Sequence, residues 1–187
     1  LAAGASLDAA RPDGSQAAPK ALVVPHAGYV YSGAIAGLAY ATLTPARERI
    51  TRVVLLGPCH RVPVLGLALP GCRAMATPLG EVPVDAEAAS GLDHVVTRPD
   101  VHAAEHSLEV QLPFLQRALG DFAVVPLAVG DATAAEVAGV LAALWGGDET
   151  LIVISSDLSH YHRYDEARAI DQGTIEAVLS LREPLSH

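Results

Sequence analysis

Three histidines in the chain share one local pattern, because each of them follows a short, uniformly apolar run. The pairs are Ala21–Val24 with His26, Val53–Leu56 with His60, and Leu151–Ile154 with His160. Such runs are typical of buried strands, and open parallel sheets bind ligands outside the carboxyl ends of their strands. Neutral imidazole is a common ligand for Zn, Cu and non-haem Fe. We therefore expect the three histidines to converge on a metal ion, with local loop hydrogen bonding as the alternative for His26 and His160.

Two acidic residues and a further histidine lie close to this pattern. Asp157 lies three residues before His160 and is expected to ligate the metal or to orient an imidazole. Its alternative role is that of a turn-forming or capping aspartate. Glu105 and His106 precede a helical pattern. A histidine at a helix N-terminus tends to stay neutral, which suits a base or a hydrogen-bond donor, and a capping segment is the alternative.

Cys59, which adjoins His60, is a candidate soft metal ligand or redox-active thiol, or else a small buried side chain.

Several familiar catalytic motifs are missing from the sequence. It contains no G-x-x-x-x-G-K-[ST] phosphate loop and no G-x-G-x-x-G after a strand. It also contains no G-x-S-x-G, C-x-x-C or H-E-x-x-H motif. The histidines are therefore the main signal for chemistry.

The elements that must position these residues are read from apolar runs and helical spacing. The expected strands are Ala21–Val24, Val53–Leu56, Val64–Leu69, Val95–Val96, Phe122–Val129 and Leu151–Ile154. The expected helices are Ser32–Leu43, Val84–Ser90, Ser107–Leu119, Thr133–Trp145 and Asp165–Leu181. Pro113 should kink or restart the third helix, and Thr133 with Glu136 fits a capping box. Short apolar strands alternating with helices predict a single α/β domain, a mostly parallel central sheet with helices on both faces.

Composition narrows the classes of function. The chain has 187 residues, of which 51% are hydrophobic and 18% charged, and this excludes intrinsic disorder. A formal charge of −9 argues against a nucleic-acid or anionic-membrane surface. No run approaches the roughly 18–20 apolar residues of a membrane helix.

No export signal is recognised, so cytoplasm is the default location. We expect a flexible segment over residues 1–19 and an α/β domain over residues 20–187.

Five separated stretches resemble the Memo family, also called AmmeMemoRadiSam system protein B. They are Pro25–Tyr29, Gly57–His60, Thr77–Gly80, Glu105–Pro113 and Ser155–His160. They occur in the order of the family and span about residues 20–180. The fold of the family resembles that of class III extradiol (LigB-like) dioxygenases, which are non-haem Fe(II) enzymes. The resemblance therefore implies a metal site at the edge of an α/β sheet, holding iron or copper, with zinc possible.

The resemblance also implies roles for individual residues. His26 and His60 match the two metal-ligating histidines of the family, and Asp157 and His160 match its nearby aspartate and histidine. Glu105 and His106 match a motif that lines the same pocket. The third ligand of the family is a cysteine in a C-terminal Cys-Gly segment that has no match in this sequence. We expect the protein's Memo-like domain to be incomplete at its C-terminus.

Three functions are compatible with these residues. The first is a metal-dependent redox enzyme in which His26 and His60 bind Fe or Cu, and His160, positioned by Asp157, acts as an acid/base group or as an additional ligand. Its open coordination positions would bind dioxygen or a small-molecule substrate, with Glu105 and His106 lining the pocket. The second is a non-catalytic metal-binding or adaptor protein with a peptide partner. The third is a metal-free hydrolase that uses His160 and Asp157, the weakest of the three.

Overall fold

The computed structural model describes residues 18–180 of the chain. The expected flexible segment over residues 1–19 therefore falls almost wholly outside the described residues. The strands are β1 (Ala21–Val24), β2 (Arg52–Pro58), β3 (Leu67–Leu69), β4 (Ala74–Thr77), β5 (Gly80–Pro83), β6 (Val95–Thr97), β7 (Ala123–Val129) and β8 (Thr150–Ser155). The α-helices are α1 (Tyr29–Ala41), α2 (Pro99–His102), α3 (Leu112–Ala118), α4 (Ala134–Leu144) and α5 (Tyr164–Leu179).

The central sheet has six strands in the order β1-β8-β2-β7-β3-β6. The four strands β1, β8, β2 and β7 run parallel to one another, whereas β3 runs antiparallel to β7 and parallel to β6. The mostly parallel sheet is thus confirmed. The connection over residues 59–66 is shorter than the dozen or more residues of a parallel crossover, so β3 runs back in the opposite direction.

Helices cover both faces of the sheet, as the uniformly apolar strands predicted. Val53 and Leu55 of β2 belong to one buried cluster, to which α1 and α3 also contribute. Val54 and Leu56 of the same strand belong to a second cluster, to which α4 contributes. Successive strand residues point to opposite faces. Because both faces are buried, β2 is apolar at every position from Val53 to Leu56 rather than alternating.

Several regions differ from the sequence-based expectation. The helix expected over Val84–Ser90 is only a 3-10 turn, Glu87–Ala89, because Val84 pairs with Val124 of β7 in a β-bridge. The helix expected over Ser107–Leu119 is divided into a 3-10 turn, Glu109–Gln111, and α3, with Pro113 in the first turn of α3. Proline is tolerated there because first-turn amides have no partner within the helix. The hairpin of β4 and β5 was not foreseen, since its turn at Thr77–Gly80 joins two short strands with few apolar residues. The capping box of Thr133 and Glu136 at α4 is confirmed.

The sheet order decides where functional side chains meet. Strand β8 lies between β1 and β2, and the three strands are parallel. The residues two positions beyond their carboxyl ends are therefore neighbours, namely His26, Asp157 and His60. Among residues 18–180, no helix is long and apolar enough to cross a membrane.

Candidate metal centre

Three histidines converge at the carboxyl edge of the sheet. His26 and His60 follow β1 and β2, and His106 comes from the loop before α3. One nitrogen of each ring lies within 4.8 Å of a nitrogen of the other two. The ring centroids of His26 and His60 are 5.3 Å apart, and those of His60 and His106 are 5.0 Å apart. The group could hold a metal ion, because neutral imidazole suits Zn, Cu, Ni and Fe.

Glu105 fixes the ring of His60. Its side chain is only 1% exposed, and its Oε1 atom accepts a hydrogen bond of 2.8 Å from Nδ1 of His60. Burial alone would raise the pKa of Glu105, but hydrogen bonds from the His60 amide and ring and from the amides of Ser107 and His106 outweigh it. The pKa falls to about 2. A carboxylate can only accept, so Nδ1 of His60 carries a proton and Nε2 is the ring atom left to bind a metal.

Asp157 holds the backbone around His26. Its Oδ1 atom accepts hydrogen bonds from the amides of His26, at 2.6 Å, and Ala27, at 2.9 Å. Its Oδ2 atom lies 3.6 Å from Nε2 of His26. This position is compatible with the expected role of orienting an imidazole. The backbone contacts of the carboxylate are with the distant segment that carries His26, whereas the alternative interpretation expected them within the turn of Asp157 itself.

The His26 ring itself is buried, and its other nitrogen is also engaged. Nδ1 lies 2.9 Å from Oγ of Ser155, the last residue of β8. Burial lowers the pKa of His26, an effect that Asp157 opposes and that His60 and His106 reinforce. The ring is therefore held neutral, which is the state that binds metals.

His106 completes the group, but by weaker contacts. Its backbone amide donates to Oε1 of Glu105 at 2.9 Å, and its Nδ1 atom lies 3.4 Å from the same oxygen. Glu105 therefore contacts both His60 and His106. One buried anion beside two imidazoles would also offset part of the charge of a bound cation.

His160 lies apart from these rings. It is exposed, and its Nδ1 atom contacts the carbonyl oxygen of Leu158 at 2.9 Å. The preceding turn includes Leu158 in the left-handed region, with φ of 63°. The converging group within the described residues comprises His26, His60 and His106 and does not include His160. The expected ligand role of His160 and its acid/base role remain predictions.

Cys59 is less suited to ligation than its sequence position suggested. Burial raises the pKa of its thiol, and the nearby Glu105 carboxylate raises it further. The thiolate is the form that binds metals and reacts, so both effects act against it. Cys59 also packs against the apolar cluster on the α1 side of the sheet. These contacts favour the small buried side chain that was the alternative interpretation.

Two buried polar residues near the site escaped the sequence analysis. Gln111 is fully buried and donates to Oγ of Ser155 at 2.8 Å. Tyr40 of α1 is also buried and donates to Oε1 of Gln111 at 2.9 Å. The available signal was that Gln111 falls on the apolar face of its helical stretch, with Leu108, Leu112 and Leu115, where a buried polar group needs a partner.

The fold and the site together define a class of protein. It is an α/β protein whose parallel strands present a tri-histidine group, supported by Glu105 and Asp157, at their carboxyl edge. Comparison with known sequences identifies the family. The chain matches the family model for the Memo-like protein over residues 5–184. The chain therefore belongs to the Memo-like family.

Individual relatives agree with this assignment. A MEMO1 family protein of Archaeoglobus fulgidus is 41% identical over 168 residues, covering 86% of this chain and 62% of the relative. One from Methanosarcina acetivorans is 41% identical over 170 residues, with 87% and 62% covered. One from Aquifex aeolicus is 41% identical over 167 residues, with 86% and 61% covered. The chain thus spans about three fifths of the length of these relatives.

Proposed function

We propose that this protein binds iron or copper through His26, His60 and His106 and uses the bound metal as a redox centre. The observation that carries the proposal is the convergence of three imidazoles, two of which are oriented by hydrogen bonds at their Nδ1 atoms. Zinc fits the same donor set but has no redox chemistry. When bound, iron or copper would supply electron transfer and sites for dioxygen or a small substrate.

The side chains around the group have separate roles in this proposal. Glu105 holds His60 with its free nitrogen toward the other two rings, and Asp157 holds the chain that presents His26. The Oδ2 atom of Asp157 lies 3.6 Å from Nε2 of His26, next to the metal-ligating atom, and is suited to accept a proton from a substrate bound there. His160, exposed in the loop that follows, is proposed as a second proton-transfer group that approaches with substrate.

The relation to extradiol dioxygenases is part of the same proposal. It rests on family resemblance and on the position of the site at the carboxyl edge of a mostly parallel sheet. The substrate class would then be a small molecule with vicinal hydroxyl groups. A non-catalytic metal-binding or adaptor protein is the second candidate, because family membership alone assigns no reaction.

Dioxygen uptake by metal-loaded protein separates the two candidates. The metal-free protein is loaded anaerobically with Fe(II), Cu(II) or Zn(II), and oxygen consumption is followed with ascorbate or a catechol as electron donor. We expect uptake with iron or copper but not with zinc, and none above the free-metal rate in the His60→Ala variant. Stoichiometric metal without uptake in either redox-active form would instead establish the non-catalytic protein.

A further inference from the structure

A chain of buried hydrogen bonds leads from α1 to the His26 ring. It runs from the Tyr40 hydroxyl to Oε1 of Gln111, from Nε2 of Gln111 to Oγ of Ser155, and from there to Nδ1 of His26. Each of the four residues is at most 3% exposed. Bulk water therefore does not reach these groups, and the donors and acceptors must match within the chain.

The orientation of the Gln111 amide follows from its neighbours. Its Nε2 atom lies 2.9 Å from the carbonyl oxygen of Pro25 and 2.8 Å from Oγ of Ser155. A carbonyl oxygen can only accept, so the NH₂ group must face Pro25. The two amide protons are then used, one on Pro25 and one on Ser155. The Tyr40 hydroxyl, which burial keeps protonated by raising its pKa, donates to the remaining amide oxygen.

The single proton of Ser155 is also committed. Its Oγ atom lies 2.6 Å from the carbonyl oxygen of Ser107, which can only accept. Ser155 therefore donates to Ser107 and accepts from Gln111. It has one lone pair left for Nδ1 of His26, at 2.9 Å. Only a protonated Nδ1 satisfies that contact.

We infer that Ser155 and Gln111 are positioning residues that fix His26 as the tautomer protonated on Nδ1, leaving the Nε2 lone pair free. Asp157 favours the opposite tautomer, because its Oδ2 atom faces Nε2 at 3.6 Å. The serine contact is shorter and more buried, so it decides the outcome. The inference about the tautomer stands on hydrogen bonding alone; its consequence for metal affinity rests on the proposed function.

The consequence for metal binding follows directly. Nε2 must be unprotonated to bind a metal. In the tautomer protonated on Nδ1 this condition is already met, so no proton has to move before a metal binds. Loss of the Ser155 hydroxyl would let Asp157 draw the proton to Nε2, where it blocks the ligand atom. Removal of such a supporting hydrogen bond commonly weakens metal affinity by about 10–100-fold.

The test reads the tautomer in metal-free protein. Long-range ¹H–¹⁵N spectra of histidine-labelled protein at about pH 8, above the ordinary histidine pKa of about 6.5, show which ring nitrogen is protonated. The His26 signal is the one absent from His26→Ala. We expect the proton on Nδ1 in the wild type and a shift toward Nε2 in Ser155→Ala, with Zn²⁺ affinity about 10–100-fold weaker.

A matched control lies one residue along the chain. The Ser156 hydroxyl accepts only a 3.3 Å contact from the Leu158 amide among the described hydrogen bonds, so Ser156→Ala should keep both the tautomer and the affinity. A wild-type proton on Nε2, or an unchanged tautomer in Ser155→Ala, overturns the inference. The wild-type spectrum decides the tautomer even if Ser155→Ala does not fold. A wild type protonated on Nδ1 that binds no Zn²⁺ would support the inference and refute the proposed function.

Discussion

The contribution of Glu105 to the stability of the metal-free protein can be worked out from its contacts. Its carboxylate accepts four hydrogen bonds, which come from the backbone amide and ring of His60 and from the amides of His106 and Ser107. In Glu105→Gln, one carboxylate oxygen becomes an NH₂ group. At best the amide oxygen replaces Oε1, and the His60 amide then faces a donor instead of an acceptor.

The expected loss follows from the pKa. A carboxamide resembles the protonated acid in charge, and the folded state lowers the pKa of Glu105 from 4.5 to about 2. At about 1.4 kcal/mol per pKa unit, the ionised form contributes about 3 kcal/mol. Hydrogen bonds to charged groups contribute about 1.5–3 kcal/mol each, so the loss of one and the weakening of three agree with that figure.

The pH dependence has a definite sign. The unfolded chain takes up a proton at Glu105 near pH 4.5, whereas the folded protein stays ionised down to about pH 2. The stabilisation is therefore fully present above pH 4.5 and is lost as the pH falls from 4.5 toward 2. The difference in unfolding free energy between wild type and Glu105→Gln should shrink over the same interval.

Urea unfolding of metal-free protein, followed by circular dichroism at pH 7 and at lower pH, measures both quantities. Glu81→Gln is the control, because Glu81 is exposed on β5 and its replacement should change stability by less than about 0.5 kcal/mol. A loss of under about 1 kcal/mol at pH 7 for Glu105→Gln, or a constant difference down to pH 2, would refute the reasoning.

Three further predictions concern parts of the fold that hold the site. Gly57→Ala should destabilise the protein by about 1–3 kcal/mol in urea unfolding, because the added Cβ would lie 2.9 Å from Leu108 and 3.2 Å from Ser155. The control Gly139→Ala lies in α4, where the added Cβ meets no atom within 4 Å, and it should stabilise the protein by about 0.5–1 kcal/mol. Equal changes in stability for the two variants would contradict this prediction. Lys20→Met should lower the melting temperature by about 2–8 °C. The Lys20 ammonium donates to the carbonyl oxygens of Trp145, Gly147 and Thr150 at 2.6–2.7 Å, in the connection between α4 and β8. An unchanged melting temperature would show that these hydrogen bonds contribute nothing to stability. Burial lowers the pKa of His102 below 6.5, although a hydrogen bond to Ala68 opposes this effect. The folded protein therefore favours neutral His102, and the unfolding free energy should fall as the pH drops below 6.5. His102→Gln should reduce the dependence of the unfolding free energy on pH between about pH 6.5 and 5, and an unchanged dependence would show that His102 is not responsible.

The strands were predictable because both faces of the sheet are buried. A run such as Val53–Leu56 is apolar at every position only when helices cover both sides, and β2 meets that condition. The order β1-β8-β2 was not predictable, because it depends on which strands pair across the whole chain. The short β4–β5 hairpin was missed because its strands carry little apolar pattern.

The candidate site was predictable where a strand end positions a residue. His26 and His60 lie two residues beyond parallel strands, so their convergence follows from the sheet. His106 was recognised as a pocket residue but not as a member of the histidine group. Its position is set by Glu105, through hydrogen bonds that join two distant loops. Such a network leaves no periodic signal in the sequence.

His160 shows the limit of the strand-end argument. It lies five residues beyond Ser155, and Leu158, with φ of 63°, lies in the intervening turn. A residue this far along a loop is positioned by the turn rather than by the strand. The sequence could not specify that turn, since Leu158 is a residue type that seldom adopts the left-handed region.

Metal affinity of single-histidine variants tests the central claim most directly. Binding of Zn²⁺, measured against a competing chelator, is compared in wild type, His26→Ala, His60→Ala, His106→Ala and His160→Ala, with circular dichroism to establish folding. We predict one tight site in the wild type, its loss in each of the first three variants, and its retention in His160→Ala. Tight binding by His106→Ala together with loss in His160→Ala would contradict the tri-histidine centre.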